Sequence, residues 1–133
     1  MRHARPTLTA TLAAAVLLLT GCAGVGQPSQ EQSCADVMAV QDKMVTMASR
    51  MTTVVDIESF QQDMRSMLPL VDELREVPID PANTTLVEAR DKWAEAAGRL
   101  FDRGGKSTDM GALKLMLTKT TSAAMDVERL CGK

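Results

Sequence analysis

Apolar residues recur at alternating steps of three and four along the chain from Cys34 to Cys131. Steps of this size place side chains on one face of an α-helix, and no stretch shows the sustained alternation that is typical of a strand. The pattern breaks near Asp56, across Val77–Asn83 and at Gly104-Gly105, which divides it into four segments. The sequence therefore predicts an all-α fold, an up-down-up-down four-helix bundle. The predicted inward face carries Cys34, Val37, Val40, Met44, Met47, Met51 and Val54 in the first helix, Ile57, Phe60, Met64, Met67, Val71 and Leu74 in the second, Leu86, Ala89, Trp93, Ala97 and Leu100 in the third, and Met110, Leu113, Leu117, Thr120, Ala124, Val127 and Cys131 in the fourth.

Several polar residues and one proline predict where these helices begin or bend. Ser33 is the predicted N-cap of the first helix and Asp56 that of the second. Thr85 followed by Glu88 fits a capping box at the start of the third helix. Pro69 lies inside the second segment, and we expect a kink there because proline lacks a backbone N–H and crowds the carbonyl four residues earlier.

The N-terminal segment has the layout of an export signal. A short basic stretch at residues 2–5 precedes an apolar run from Leu8 to Leu19. The run is shorter than the roughly 20 residues that a membrane-spanning helix needs, and a charged start followed by an apolar core is typical of a secretory signal. The run ends in Leu19-Thr20-Gly21-Cys22, which resembles the lipobox of bacterial lipoproteins.

The lipobox resemblance implies cleavage before Cys22 and a diacylglyceryl group on its sulfur. The alternative is an ordinary signal peptide followed by an incidental cysteine. The predicted organisation is a signal peptide at residues 1–21, the lipidated Cys22 with a flexible tether at residues 22–33, and a helical bundle domain at residues 34–133. The small and polar residues 23–33 reach about 36 Å when fully extended, and two acyl chains anchor a protein stably in a membrane.

Cys34 and Cys131 lie at the two ends of the predicted bundle. An exported protein folds in an oxidising compartment, which favours a disulfide between them; two unpaired buried thiols are the alternative. An even number of antiparallel helices brings the start of the first and the end of the last to the same end of a bundle. Three helices would leave them about 30 Å apart, whereas a disulfide needs Cα atoms near 5.5 Å. Four helices and a Cys34–Cys131 disulfide therefore support each other.

Composition argues against an enzyme and against a nucleic-acid-binding protein. His3 is the only histidine and leaves with the signal peptide, which excludes a histidine base, a Ser-His or Cys-His couple and a histidine metal ligand from the remaining chain. The 15 Lys and Arg residues do not exceed the 17 Asp and Glu residues, so the basic excess of a nucleic-acid-binding protein is missing. Arg99, Arg103 and Lys106 form a short basic patch that suits the C-terminal end of a helix dipole.

The methionines are the most unusual part of the composition. Met44, Met47 and Met51 lie on one predicted stripe, and thioethers are suitable ligands for Cu(I) in an exported protein. Filling of the core is the favoured interpretation, because these methionines share their stripe with valines. Small residues in the last two helices allow an apolar cavity for a lipid-like ligand, although close helix packing is favoured for them too. These small residues are Ala89, Ala94, Ala96, Ala97, Ala123 and Ala124.

The sequence therefore predicts a lipid-anchored protein on the extracytoplasmic face of a bacterial cell membrane. We expect a binding or assembly module with an envelope protein as its partner, without enzymatic activity and without a cofactor. The predicted functional residue is Cys22, as the anchor, and Cys34 and Cys131 have a structural role. The alternative function is a carrier or sensor of an apolar ligand, or of Cu(I) through Met44, Met47 and Met51.

Overall fold

The computed structural model describes residues 26–51 and 56–132. These residues form α-helices and no strand, which confirms the all-α prediction. The helices number five, where the apolar spacing predicts four. The first 25 residues lie outside the described part, so the predicted signal peptide and Cys22 are not described. The helices are α1 (Gln30–Met51), α2 (Ile57–Ser66), α3 (Leu68–Glu76), α4 (Thr84–Gly104) and α5 (Met110–Leu130).

Helix α1 begins at Gln30, before the predicted start of the bundle at residue 34. Ser29 caps it, because the Ser29 hydroxyl oxygen accepts a hydrogen bond from the Gln32 backbone N–H at 3.1 Å. The prediction that Ser33 is the N-cap is therefore wrong. Ser33 lies in the first turn, where it is buried and donates its hydroxyl to the Pro78 carbonyl at 3.0 Å. Residues 30–33 consequently belong to the bundle and not to the tether.

The second predicted helix is divided into α2 and α3. Asp56 caps α2 as predicted, because its carboxylate accepts a hydrogen bond from the Ser59 backbone N–H at 2.8 Å. The helix is interrupted at Met67, and Pro69 then occupies the first turn of α3, where a backbone N–H has no intrahelical partner. The expected kink at Pro69 is thus found as a break between two helices at Met67, two residues earlier.

Helix α4 is the centre of the fold. It packs against α5, α3 and α2, whereas α1 packs mainly against α3 and α2. Its predicted inward residues are all buried, and Gly105 forms its C-cap as predicted. The capping box at Thr85 and Glu88 is wrong, because α4 starts at Thr84 and its N-cap is Asn83, which accepts from the Leu86 N–H at 3.2 Å. The core contains Val37, Val40, Met44, Met64, Met67, Val71, Leu74, Val77, Leu86, Ala89, Trp93, Ala94, Ala97, Leu100, Phe101, Leu113 and Val127.

Helix α5 differs from its predicted orientation. Leu113, Thr120 and Val127 are buried as expected, but Met110 is 67% exposed and Leu117 is 55% exposed. Met116, which lies three residues after Leu113, packs against the core in place of Leu117. The inward face of α5 is therefore rotated toward Met116, and a second set of apolar side chains faces solvent.

Candidate binding surface

A disulfide joins the start of α1 to the residue that follows α5. Cys34 and Cys131 are bonded, with their Cα atoms 5.5 Å apart, which confirms the predicted pair. The Gln30 side-chain amide donates to the Leu130 carbonyl at 3.4 Å, close to this disulfide. The Gln41 amide donates to the Glu128 carboxylate, which extends the contact between the two helices toward the middle of α1. The disulfide and these two hydrogen bonds thus join the first half of α1 to the last turn of α5.

Away from the disulfide, apolar residues of α1 and α5 are exposed to solvent. Val45 follows Gln41 by one helical turn, yet it is 60% exposed. Leu117 precedes Ala124 and Cys131 by successive steps of seven residues, and it is 55% exposed at the border between their side of α5 and the solvent side.

An open cleft of about 310 Å³ lies at the end of the bundle opposite the disulfide. The end of α1, the start of α2 and the connection between α4 and α5 meet there. The spacing predicts Ile57 on the inward face of the second helix, but Ile57 is the first residue of α2, at the end of the bundle, and is 61% exposed. Met110 is 67% exposed, so apolar surface faces solvent at this point. We call this site the distal cleft; it is lined by Met51, Asp56, Ile57, Phe60, Ser107, Thr108 and Met110.

Asp56 is the charged residue in the lining of the distal cleft, and its carboxylate is engaged in capping α2. It accepts hydrogen bonds from the backbone N–H and the hydroxyl of Ser59, both at 2.8 Å. These bonds stabilise the ionised form and lower the pKa of Asp56 below its ordinary value of 3.8. A carboxylate held in this way remains ionised near neutral pH and is unsuited to act as a general base.

The structure places the three candidate copper ligands along the core side of α1. Met44 is buried in the core, and Met47 and Met51 pack against it. This position matches the core-filling interpretation, and Met51 in addition lines the distal cleft. Across residues 26–51 and 56–132, no group of three or more His, Cys, Asp or Glu side chains is arranged to hold a metal ion.

The small residues of α4 lie at helix contacts. Ala94 and Ala97 are almost completely buried within the core, as close helix packing requires. Ala89 and Ala123 line a groove of about 370 Å³ between α4 and α5, and this groove is open and bordered by the charged Lys92 and Asp126. These alanines therefore sit at packed contacts and along a solvent-exposed groove.

The basic patch predicted on α4 is balanced by acidic neighbours. Arg99 pairs with Glu95 and Lys106 pairs with Asp102, each at 2.5 Å and one helical turn apart. Exposed pairs of this kind contribute little stability, but they cancel the local positive charge. The patch is thus not a strongly positive surface.

A second exposed surface, which the apolar spacing does not predict, runs along the solvent side of α5. Its residues follow one another at steps of three, four or one and form one continuous helical stripe. The stripe was missed because both sides of α5 carry apolar residues, so spacing alone could not identify the buried side. We call this stripe the outer α5 face; it consists of Lys114, Leu117, Thr118, Thr121 and Met125. Met110, one turn before Lys114, belongs to the distal cleft.

Comparisons with protein-family models, with curated proteins and with solved structures found no match for this chain. In the described part of the chain, none of the helices combines the length and apolar character required to cross a bilayer. The two surfaces therefore have to be interpreted from their own chemistry.

Proposed function

We propose that this chain is a lipoprotein of the bacterial cell envelope that binds a protein partner through the distal cleft. A signal peptide at residues 1–21 directs export, and a diacylglyceryl group on Cys22 anchors the chain at the extracytoplasmic face of the membrane. The lipobox-like Leu19-Thr20-Gly21-Cys22 supports the anchor. The disulfide between Cys34 and Cys131 supports an oxidising compartment, because such bonds persist in exported proteins.

The proposal includes an up-down-up-down course of the four helical rods, with α2 and α3 counted as one rod. Ser33 contacts Pro78, which places the connection between α3 and α4 beside the start of α1. The end of α1, the start of α2 and the connection between α4 and α5 meet at the distal cleft, at the other end of the bundle. Connections at alternating ends support this course.

The observation that carries the proposal is the position of the distal cleft relative to the tether. The tether leaves the bundle at Gln30, beside the disulfide, and α1 is about 33 Å long. The cleft therefore lies a full helix length from the residue at which the tether joins the bundle, and it is open to solvent. Its size and its exposed Ile57 and Met110 suit one or two apolar side chains from the surface of an envelope protein.

A small apolar ligand is the second candidate occupant, because the distal cleft is lined mainly by apolar side chains and flexible methionines. Such a ligand would make the protein a carrier or sensor. The engaged state of the Asp56 carboxylate supports binding over acid–base catalysis for either occupant.

Photo-crosslinking in cells tests the proposal. A benzoylphenylalanine introduced at Met110 is expected to form an adduct with one envelope protein, and the adduct should weaken when Ile57→Glu places a charge in the cleft. The matched control is benzoylphenylalanine at Arg99, which is exposed at the groove between α3 and α4 and does not line the distal cleft. An adduct with a small apolar molecule would favour the second candidate. Equal adducts at both positions, or none at Met110, would argue against a binding role for the cleft.

A further inference from the structure

The outer α5 face differs in chemistry from the other exposed helix surfaces. Leu117 and Met125 are exposed apolar residues along it. Exposed surfaces of α4, by contrast, carry closely spaced acidic and basic groups such as the Arg99–Glu95 pair. A helix that is apolar toward the core and also apolar toward solvent has a second contact to make.

The charge on this helix has one sign over most of its length. No Asp or Glu occurs between Asp109 and Asp126, and the stretch contains Lys114 and Lys119. Neither lysine forms an ion pair within the described residues, whereas Lys43, Lys106 and Arg129 each pair with a carboxylate. Lys114 lies on the outer α5 face, whereas Lys119 lies about 140° around the helix from it. Lys114 therefore gives this face its positive charge, which is complementary to an anionic surface.

The polar groups on the outer α5 face are inexpensive to remove from water. Thr118 already donates its hydroxyl to the Lys114 carbonyl at 3.1 Å. This donor therefore keeps its hydrogen bond when the side chain is removed from water. Lys114 has a long apolar stem that allows its ammonium group to reach phosphates while the stem lies among apolar groups. These properties are those of a helix that lies in a membrane interface.

The tether brings this face close to a membrane. Because α1 begins at Gln30, residues 23–29 are the whole connection to Cys22 and reach about 25 Å at most. The Gln30 side chain donates a hydrogen bond to the Leu130 carbonyl, so the tether joins the bundle beside the last residue of α5. A stripe on a convex helix surface suits a flat lipid layer, whereas the concave distal cleft suits a protein side chain.

We infer that the outer α5 face lies on the anionic phospholipid surface of the membrane in which the chain is anchored. The inference rests on the proposed anchor at Cys22. It orients the bundle with α5 parallel to the membrane plane and leaves the distal cleft open sideways, toward a partner in or near the same membrane. Leu117 and Met125 enter the interface, and Lys114 lies at the level of the lipid phosphates.

Fluorescence quenching on vesicles tests the inference. The full lipidated chain is reconstituted into phosphatidylcholine vesicles with brominated acyl chains, with or without phosphatidylglycerol. Leu117→Trp is expected to be quenched, more strongly when phosphatidylglycerol is present. Arg99→Trp, on the α3–α4 side, is the matched control and should be quenched no more than the unmodified chain, whose Trp93 is buried. Lys114→Gln is expected to weaken the association of α5 with the anionic vesicles about fivefold.

The outcomes separate this inference from the proposed anchor. A chain that fails to float with the vesicles would refute the anchor, and the inference with it. A chain that floats but shows no quenching at residue 117, or quenching independent of phosphatidylglycerol, would refute the inference alone. Benzoylphenylalanine at Met125 in cells should form lipid adducts, and adducts with protein alone would also overturn the inference.

Discussion

Gly104, the last residue of α4, lies directly against the side chain of Met64 in α2. A Cβ atom added at residue 104 would overlap Cε of Met64 and would lie 3.0 Å from its Cγ. The absence of a side chain at Gly104 therefore allows α2 and α4 to approach closely. Because Met64 is buried, it has little room to move away.

We expect Gly104→Ala to lower the free energy of unfolding by about 1–3 kcal/mol, because the added methyl overpacks the contact. Urea denaturation measures the loss. Gly111→Ala is the matched control: its Cβ would meet only Asp109 Oδ1 at 3.4 Å, so stability should rise by up to about 1 kcal/mol through helix propensity. Combining Gly104→Ala with Met64→Val should remove most of the penalty, and strictly additive effects would contradict the proposed contact.

The orientation of α5 is tested by a pair of leucines in the same helix. Leu113 is 5% exposed and Leu117 is 55% exposed. Leu113→Ala is expected to lower the free energy of unfolding by about 2–5 kcal/mol, because it leaves a cavity in the core. Leu117→Ala should change it by no more than about 0.5 kcal/mol. Urea denaturation of the two variants under identical conditions measures both losses. Similar losses would mean that Leu117 is buried in the core in solution.

The disulfide closes a loop over a sequence separation of 97 residues. In the chain-entropy model, a loop of this size contributes up to about 4.7 kcal/mol by restricting the unfolded chain. We expect the Cys34→Ser and Cys131→Ser double variant to lose about 2–5 kcal/mol while remaining helical by circular dichroism. The reduced unmodified chain should behave like the double variant. Unchanged stability in both would show that this bond contributes nothing to the fold.

The cap at Asp56 predicts a pH dependence with a defined sign. Hydrogen bonds from Ser59 lower the pKa of Asp56, so its contribution to stability is complete above the ordinary value of 3.8 and is lost as the pH falls through the folded-state value. Asp56→Ala should lower the melting temperature at neutral pH. Asp56→Asn should retain most of the cap, because an amide oxygen also accepts from the Ser59 N–H.

The comparison with Asp56→Asn isolates this carboxyl from the other acidic groups, which titrate in both proteins. The stability advantage of the unmodified chain over Asp56→Asn should shrink below pH 3.8, measured as the difference between the two melting temperatures. A difference that stays constant down to pH 2 would mean that the Asp56 carboxyl is not bonded to Ser59 in solution.

The sequence was sufficient where one helix face is apolar and the other is not. In α4, the charged residues leave one choice of inward face, and Trp93, Ala97 and Leu100 are buried as predicted. In α5, apolar residues occur on both sides, and the choice between Leu117 and Met116 depended on how the helix packs against α4. Spacing within one helix contains no information about that contact.

Helix starts were harder to predict, because several residues near each start are able to cap. Ser29 and Ser33 are both competent N-caps, and the selection of Ser29 follows from the buried contact of Ser33 with Pro78. The distal cleft was likewise not predictable, since it is formed by residues from three parts of the chain. The disulfide was predictable, because only two cysteines follow Cys22.

The short separation between Cys34 and Cys131 has a practical consequence for labelling. A fluorescent protein or epitope introduced after Gly132 would emerge beside the tether and, with the proposed anchor, would be crowded against lipid headgroups. An insertion at the connection between Gly105 and Asp109 would be displayed about 30 Å away, at the opposite end of the bundle. Antibody access to intact cells should therefore be far greater for the internal insertion than for the terminal one.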